Sequence, residues 1–426
     1  MLQVSFLRNQ KDRVIEGLKK RNFSDEDLQI VEDILQLDDT RRNAQSELDA
    51  ALAERNSLSR EIGELMKQGQ REAAETKKNR VATLKDQAAV LEQRLNEAQA
   101  QMEQLLYRVP NIPHASVPYG KSAEDNEVFK AWEKPMPELP TDALPHWELA
   151  AKYNVFDLEL GTKLTGSGFP VYRGKGAKLQ RALITFFLDE ATKAGYEEIL
   201  PPLMVNEDTA RATGQLPDKE AQMYYVERDN LYLIPTAEVP VTNIYRDEIL
   251  EEKNLPIKLT GYTPCFRREA GSYGAHVRGL NRVHQFDKVE IVRMEHPERS
   301  YEALMEMLEH VSALLDKLEL PYRILRLCGG DMGFTSALTF DFEVFSAAQQ
   351  RWLEVSSVSN FETFQSHRLK LRFRDGDKKT QLVHTLNGSA LALARIVAAL
   401  LENNQTPEGI VIPTVLRPYT GFDLLS

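Results

Sequence analysis

Two strand-like runs flanking a Gly-rich loop carry residues whose types and spacing could do chemistry. They lie in the stretch YTPCFRREAGSYGAHVRGLNRVHQFDKVEIV. Because residues two apart in an extended chain share a face, Arg267 and Glu269 are expected to point the same way, as are Phe286, Lys288 and Glu290. Such a sheet face would suit a charged, ring-bearing ligand. The alternative is an ordinary antiparallel hairpin with a solvated polar face.

The literal sequence favours the ligand site. FRREAGSYG followed by RGLNRVHQFDKVE closely resembles motif 2 of the class II aminoacyl-tRNA synthetases, in the form seen in seryl-tRNA synthetases. The resemblance implies that Arg267 bridges the serine carboxylate and the α-phosphate of ATP, and that Glu269 contacts the adenine amino group. It also implies that Phe286 stacks on adenine, that Glu290 accepts a hydrogen bond from the substrate hydroxyl, and that Arg268 belongs to the ATP-binding set.

Two further segments resemble the serine-binding and phosphate-binding parts of the same family. PTAEVPVTN contains Thr236, Ala237 and Glu238, which the resemblance assigns to serine, and spacing predicts one strand face for Thr236 and Glu238. HTLNGSALALAR resembles motif 3, where Ser389 would lie near the substrate serine and Arg395 at the γ-phosphate. The helix expected after Ser389 is lined with Ala390, Ala392 and Ala394, so it can lie close to the sheet and the nucleotide. Ala390 and Ala394 stand where motif 3 often has glycine, and each adds a methyl group there.

Activation of an amino acid brings a carboxylate and a triphosphate together, so the site needs positioned cations. Arginine suits this role because its planar fork binds carboxylate and phosphate bidentately. A carboxylate near the phosphates is useful mainly if it holds Mg²⁺. EVSSVSN resembles the family segment that does so, which implies Glu354 and Ser357 as metal ligands and Val355 and Ser356 as ATP contacts.

The whole chain has the composition of an ordinary globular protein, with 426 residues and a net charge of −11. No apolar run approaches the length of a membrane span. The basic, amphipathic start could be a mitochondrial targeting helix, but its acidic residues favour a first structural helix. Two cysteines without a Cys/His cluster argue against disulfides and zinc, and favour the cytoplasm.

Heptad patterns predict an antiparallel helical hairpin over about 28–106, with arms of roughly 55 Å. Ser24 is predicted as the N-cap of the first helix, and the break between the two helices lies around Gly69. The first seam contains Ile34, Leu37, Arg41, Ala44, Leu48, Ala51, Arg55, Leu58, Ile62 and Leu65, and the second Val81, Leu84, Ala88, Leu91, Leu95, Ala98, Met102 and Leu105. A solvated coiled coil or dimerisation rod is one interpretation. A basic cluster near the tip (Lys67, Arg71, Lys77, Lys78 and Arg80) favours a phosphate-rich partner.

Prolines at 110, 113 and 118 predict a linker over 109–119 that separates an N-terminal domain (1–108) from a catalytic domain (120–426). Beyond the linker we expect helices at 178–195, 297–318 and 390–403, and strands joined by hairpins. The fold class is therefore α+β: an antiparallel class II sheet with flanking helices, plus the N-terminal coiled-coil hairpin.

The resemblance implies an enzyme that makes seryl-adenylate from L-serine and ATP and then charges tRNA(Ser), with tRNA(Sec) as a further candidate substrate. It also implies a homodimer with Pro202 of motif 1 at its interface. A buried Glu290 that needs a hydroxyl partner should reject alanine. The first rival hypothesis is a catalytically silent paralogue that binds tRNA or another coiled coil. The second is an enzyme that charges a carrier protein, whose relatives lack the long hairpin.

Overall fold

The computed structural model describes residues 1–218, 221–269 and 277–426. Most of the Gly-rich loop of the motif 2 segment, at 270–276, therefore lies outside the described residues. The chain forms two compact units. The first comprises residues 1–19 and 23–110, and the second comprises residues 20–22 and 111–426. No described helix is long and apolar enough to cross a membrane.

The first unit is built on the predicted helical hairpin. Its helices are α1 (Val4–Asn9), α2 (Lys11–Lys20), α3 (Gln29–Lys67) and α4 (Arg71–Leu106). Every residue of both predicted seams is buried or half-buried, which confirms the heptad assignment. Gly69, at φ 77°, adopts the left-handed conformation that ends α3 and begins the turn.

The predicted N-cap at Ser24 is wrong by one turn. Ser24 does cap a turn, because its Oγ accepts the Asp27 N–H at 3.1 Å and the Asp27 carboxylate accepts the Ser24 N–H at 3.0 Å. This reciprocal arrangement stabilises the turn at 25–28, and α3 begins only at Gln29.

The second unit combines short helices with a large sheet. The helices are α5 (His146–Tyr153), α6 (Leu158–Leu164), α7 (Gly174–Lys193), α8 (Glu207–Thr213), α9 (Glu238–Thr242), α10 (Ser300–Lys317), α11 (Phe364–Leu369), α12 (Leu393–Asn403) and α13 (Arg417–Thr420). The strands are β1 (Glu127–Lys130), β2 (Phe156–Asp157), β3 (Val171–Tyr172), β4 (Glu197–Glu198), β5 (Met204–Val205), β6 (Tyr225–Val226), β7 (Leu231–Leu233), β8 (Ile249–Glu251), β9 (Ile257–Phe266), β10 (Gln285–Glu295), β11 (Tyr322–Arg326), β12 (Leu338–Ser346), β13 (Arg351–Asn360), β14 (Arg372–Arg374), β15 (Thr380–Leu382), β16 (His384–Ala392), β17 (Gln405–Thr406), β18 (Gly409–Val411) and β19 (Leu424–Leu425).

The main sheet has the order β1-β11-β12-β13-β16-β10-β9-β4. All its neighbours are antiparallel except β4 and β9, which confirms the predicted fold class. Alternation along β10 assigns its two faces: Val289 and Ile291 join the large core that includes α7, α10 and α12, whereas Val292 and Met294 join a smaller cluster on the other face. Phe286, Lys288 and Glu290 are an even number of residues from Val292 and Met294, so strand alternation assigns them to this second face.

Two predicted helices are nearly right in extent, since α7 and α10 fall within three or four residues of the expected bounds. The predicted helix at 390–403 is wrong at its start, because residues 390–392 are the end of β16. Ser389 and Ala392 lie opposite Glu290 and Lys288 in the β10–β16 ladder. Ladder pairing thus overrides the helix propensity of the alanines.

The Pro-rich segment has no helix or strand within 109–119, and from Asn111 onwards it belongs to the second unit. Asn111 is 3% exposed, and its side-chain amide donates to the carbonyls of Thr335 at 2.9 Å and Phe361 at 2.8 Å. Arg21 donates to four backbone carbonyls of the same unit, those of Asn111, Met332, Gly333 and Ser336. Residues 20–22 therefore act as part of the second unit despite their position in the sequence.

Candidate active site

A pocket of about 460 Å³ lies on the sheet face formed by β10, β13 and β16. Most of its walls are polar or charged. The residues that line it are Gln215, Gln222, Pro235, Thr236, Glu238, Arg267, Glu269, Leu280, Asn281, Arg282, Val283, Phe286, Lys288, Glu290, Glu354, Val355, Ser356, Ser357, Ser359, Phe361, Asn387, Ser389, Ala392, Ala394 and Arg395.

The spacing argument for β10 is confirmed, because Phe286, Lys288 and Glu290 all line the pocket. The expectation that Arg267 and Glu269 share a strand face is wrong, because β9 ends at Phe266 and neither residue belongs to a strand. Glu269 has a positive φ of 48°, and this bend rather than strand alternation turns it into the pocket.

One end of the pocket pairs an arginine with an aromatic ring. The Arg267 guanidinium carbon lies 5.3 Å from the centroid of the Phe286 ring, and its Nε donates to the Pro235 carbonyl at 3.3 Å. Glu269 forms an ion pair with Arg282, a residue to which the sequence analysis gave no role. This end therefore offers a planar ring, an acceptor for an amino group and fixed cations.

At the opposite end, hydroxyl groups surround a buried carboxylate. Glu290 is 2% exposed, and its Oε2 lies 2.6 Å from Lys288 Nζ. The same oxygen accepts from Thr236 Oγ1 at 3.3 Å and from Ser389 Oγ at 3.5 Å. The two hydroxyl contacts are long, so a small ligand hydroxyl could compete for this oxygen.

Glu238 is a second carboxylate in this region, and its predicted strand face with Thr236 is wrong. Glu238 is the first residue of α9, and its N–H donates to Thr236 Oγ1 at 3.2 Å. Gln365 Nε2 donates to Glu238 Oε1 at 2.7 Å. Burial, together with the charge of Glu290, raises the pKa of Glu238 to about 7. Glu238 is therefore a pocket carboxyl group that is readily protonated near neutral pH.

A third carboxylate group lies at the predicted metal position. Glu354 and Ser357 both line the pocket, and Asp341 is paired with Ser357 across the β12–β13 ladder. Burial and the charge of Glu354 raise the pKa of Asp341 well above its usual range. Asp341 Oδ1 is buried without a hydrogen-bond partner among the described residues. An unpartnered carboxylate oxygen beside a second carboxylate fits a divalent cation.

Arg395 lies in the first turn of α12, and backbone carbonyls hold its side chain. Its Nε donates to the Asn281 carbonyl at 2.9 Å, and its Nη1 donates to the Glu354 carbonyl at 2.7 Å. The guanidinium group is about one-third exposed, so its remaining donors are accessible from the pocket. A fixed, accessible fork of this kind suits a phosphate.

The structure places all but two of the predicted site residues in the pocket wall. Ala237 is fully buried in the smaller core cluster, and the Arg268 N–H donates to the Gln222 carbonyl at 2.8 Å. The roles predicted for all of these site residues remain predictions. Sequence analysis missed Asp341, Asn281 and Gln222, since each enters the pocket region through contacts between segments that are distant in sequence.

Comparisons with known proteins agree with this architecture. The family model for the seryl-tRNA synthetase N-terminal domain matches residues 1–113, and that for the tRNA synthetase class II core domain (G, H, P, S and T) matches residues 224–404. The serine–tRNA ligase of Salinibacter ruber is 54% identical over 424 residues, covering 99% of this chain and 98% of the relative. That of Chlorobium phaeobacteroides is 46% identical and covers 100% of both chains.

A solved structure is similar over the same length. Seryl-tRNA synthetase from Pyrococcus horikoshii, solved in complex with ATP, has a TM-score of 0.93 and is 35% identical, covering 100% of this chain and 99% of that one. The similarity in sequence and in structure thus extends over the whole chain, including the N-terminal hairpin. The chain belongs to the seryl-tRNA synthetase family.

Proposed function

We propose that the 460 Å³ pocket is the site at which this chain activates L-serine with ATP before transferring it to tRNA. The overall function, ATP-dependent attachment of serine to tRNA, follows from membership of the family. The observation that carries the assignment to this pocket is that Arg267, Phe286, Glu290 and Arg395, which come from three separate segments, all line it.

Serine would bind at the Glu290 end. Glu290, Thr236 and Ser389 would surround its hydroxyl, Glu238 would face its ammonium group, and Arg267 would bind its carboxylate. A substrate without the hydroxyl would leave the buried Glu290 acceptor unpaired, which disfavours alanine. Lys288 Nζ, 2.6 Å from Glu290 Oε2, would hold this carboxylate in place for the substrate hydroxyl.

ATP would bind with adenine on Phe286 and its amino group at Glu269, while Arg267 and Arg395 hold the α- and γ-phosphates. In this arrangement Arg267 lies beside both reacting groups: the carboxylate oxygen that attacks the α-phosphorus and the phosphate that it attacks. The arginine stabilises the charge that develops there without having to move. The proposed roles of Arg268, Val355 and Ser356 are ATP contacts.

We further propose Glu354 and Ser357 as the protein ligands of Mg²⁺, with Asp341 beside them. No group of three or more His, Cys, Asp or Glu side chains arranged for a metal occurs in the described ranges. Mg²⁺ does not require one, since it is usually held by one or two carboxylates together with substrate phosphates and water. Bound there, the ion would supply charge neutralisation between the phosphates.

The hairpin of α3 and α4 is the proposed tRNA-binding element, and we propose tRNA(Ser) as the substrate, with tRNA(Sec) as a second one to test. A homodimer is also proposed. Leu200, beside Pro202, is 86% exposed, and Met204 is 47% exposed, which suits an apolar interface. Both cysteines are free and buried, which suits the proposed cytoplasmic location.

The alternative of a silent paralogue has no support in the structure, since Arg267, Glu269, Glu354 and Arg395 all line one pocket. An enzyme that charges a carrier protein is disfavoured by the match of residues 1–113 to the seryl-tRNA synthetase N-terminal domain.

Serine-dependent ATP–pyrophosphate exchange tests the proposal directly. We expect exchange in the wild type, its loss in Arg267→Ala, and its retention in a variant lacking residues 28–106 that no longer charges tRNA. Arg374→Ala is a matched control, because Arg374 is an exposed arginine of the same unit outside the pocket. Full exchange by a folded Arg267→Ala protein would overturn the assignment of this pocket.

A further inference from the structure

A buried histidine–carboxylate pair lies outside the pocket wall and has no role in the chemistry described so far. His146 and Glu402 are both completely buried, with Nδ1 and Oε1 2.7 Å apart. His146 is the first residue of α5, and its backbone N–H donates to the same oxygen at 3.0 Å. Ser346 Oγ donates to the other carboxylate oxygen. Burial opposes ionisation of Glu402, but these hydrogen bonds outweigh it and hold its pKa below the usual range.

The second ring nitrogen of His146 connects this pair to the pocket. Its Nε2 accepts the backbone N–H of Leu280 at 2.8 Å, so Nε2 carries no proton and Nδ1 donates to Glu402. Gly279 packs directly on the ring, because a Cβ at that position would lie 2.2 Å from Nε2. The imidazole is therefore a neutral bridge between a fixed carboxylate and one backbone amide of the pocket wall.

The next residue, Asn281, is the one that holds Arg395. Its carbonyl accepts from Arg395 Nε at 2.9 Å, and its Nδ2 donates to Gln349 Oε1 at 2.9 Å. Gln349 Nε2 in turn donates to Glu402 Oε1 at 2.9 Å. Two hydrogen-bonded routes, one through the backbone of Leu280 and one through Gln349, thus converge on the same carboxylate oxygen.

We propose that the His146–Glu402 pair is a positioning element for the phosphate-binding side chain of Arg395, acting through Leu280 and Asn281. The inference rests on the proposed function, in which Arg395 binds a phosphate of ATP. Burial of the Glu402 carboxylate costs desolvation free energy that its hydrogen bonds must offset, so stability alone does not account for this pair. Without it, the Asn281 carbonyl loses its support, and the Glu354 carbonyl remains as the other backbone acceptor for Arg395.

The test is steady-state ATP–pyrophosphate exchange on His146→Gln, with ATP and serine varied separately. A glutamine side chain can replace one of the two ring hydrogen bonds but not both. We expect kcat/KM for ATP to fall by about 10- to 100-fold, the scale of small misplacements in active sites. The KM for serine should stay within about twofold, since the serine-binding groups have other supports. A merely structural role would lower Tm without separating the two substrates.

Two further variants provide a second test and a control. Gln349→Leu removes the hydrogen-bonded route through Gln349 and leaves the His146–Glu402 contact intact. It should lower kcat/KM for ATP by a smaller factor, and it remains informative if His146→Gln fails to fold. His384→Gln is the matched control: His384 is a half-buried histidine whose Nδ1 bonds Ser300 Oγ at 2.7 Å, away from the pocket wall. It should leave both kcat/KM values unchanged.

A double-mutant cycle with Arg395→Ala decides whether the effect passes through Arg395. In the Arg395→Ala background, His146→Gln should change kcat/KM for ATP by less than about twofold. A loss that persists undiminished in that background, or His146→Gln and Gln349→Leu proteins with normal ATP kinetics, would overturn the inference. Unimpaired exchange by Arg395→Ala itself would instead overturn the proposed role of Arg395.

Discussion

Glu354 and Ser357 are three residues apart on β13, yet both side chains face the same pocket. Regular alternation would place them on opposite faces of the sheet. The ladder pairs Ser356 with Phe342 and Glu354 with Glu343, so Val355 is an extra residue with no partner on β12. This β-bulge resets the alternation and aims the carboxylate and the hydroxyl into one space.

The first prediction concerns this pair. Glu354→Gln removes one negative charge from the proposed Mg²⁺ position, so the Mg²⁺ concentration for half-maximal pyrophosphate exchange should rise on the order of tenfold. Titration of Mg²⁺ at saturating ATP and serine measures it. Glu251→Gln, an exposed carboxylate of the same unit, is the control. An unchanged Mg²⁺ requirement in Glu354→Gln would remove this residue from the metal site.

The second prediction separates catalysis from stability at Glu290. Glu290→Ala leaves Lys288 buried and unpaired, which should lower the free energy of unfolding by about 3–5 kcal/mol. The double variant Lys288→Met/Glu290→Leu removes both charges and should regain most of that stability. Serine-dependent exchange should be lost in both proteins. Urea unfolding and exchange assays measure the two effects, and serine activity in the stable double variant would contradict the role of Glu290.

The third prediction is a pH dependence at Glu238. Its pKa of about 7 in the folded chain lies above its ordinary value of 4.5, so the folded state holds the proton more tightly. The free energy of unfolding contributed by this group therefore falls as pH rises from about 4.5 to about 7. Glu238→Gln should flatten that part of the stability profile.

Serine binding should show the opposite trend at the same residue, because the substrate ammonium group prefers the ionised carboxylate. In the wild type, kcat/KM for serine should rise as pH increases through about 7, since this parameter reports the free enzyme. The inflection should be absent in Glu238→Gln. An identical profile in that variant would assign the titration to another group.

The fourth prediction concerns the tip of the hairpin. Lys77 and Arg80 form ion pairs with Glu61 and Glu54, whereas Lys67 and Arg71 are exposed and form no ion pair with the described residues. Unpaired cations are free to contact phosphates, so Lys67→Gln/Arg71→Gln should raise KM for tRNA more than Lys77→Gln/Arg80→Gln does. It should also reduce the salt dependence of tRNA binding.

Pyrophosphate exchange without tRNA should be unchanged in both double variants, since neither pair lies in the pocket. Equal KM values for tRNA in the two variants would show that ion pairing within the hairpin does not determine which cations contact the tRNA.

Features governed by a regular period could be predicted from sequence. The seams of α3 and α4 follow the heptad, and Phe286, Lys288 and Glu290 follow the two-residue period of a strand. The bulge at Val355 could not be predicted, because it is defined by the partner strand rather than by β13 itself. The same holds for the end of β16, where pairing with β10 extends a strand into an alanine-rich segment.

Contacts between distant segments were also beyond prediction. His146 and Glu402 are 256 residues apart, and nothing in their local sequence indicates that they meet. Asp341 lies in an ordinary alternating strand, and only its position opposite Ser357 gives it a neighbour in the proposed metal site. The resemblance to a family supplied the positions of Arg395, Glu354 and Ser357 in the chain, but not these neighbouring residues that support them.

The chain passes between its two compact units three times, because residues 20–22 belong with the second one. A fragment that simply began at Asn111 would lack Arg21 and the four carbonyl contacts it makes. The helical arm is consequently not a detachable front end. An exchange of the first unit between relatives should include residues 1–19 together with 23–110 and leave residues 20–22 with the second unit.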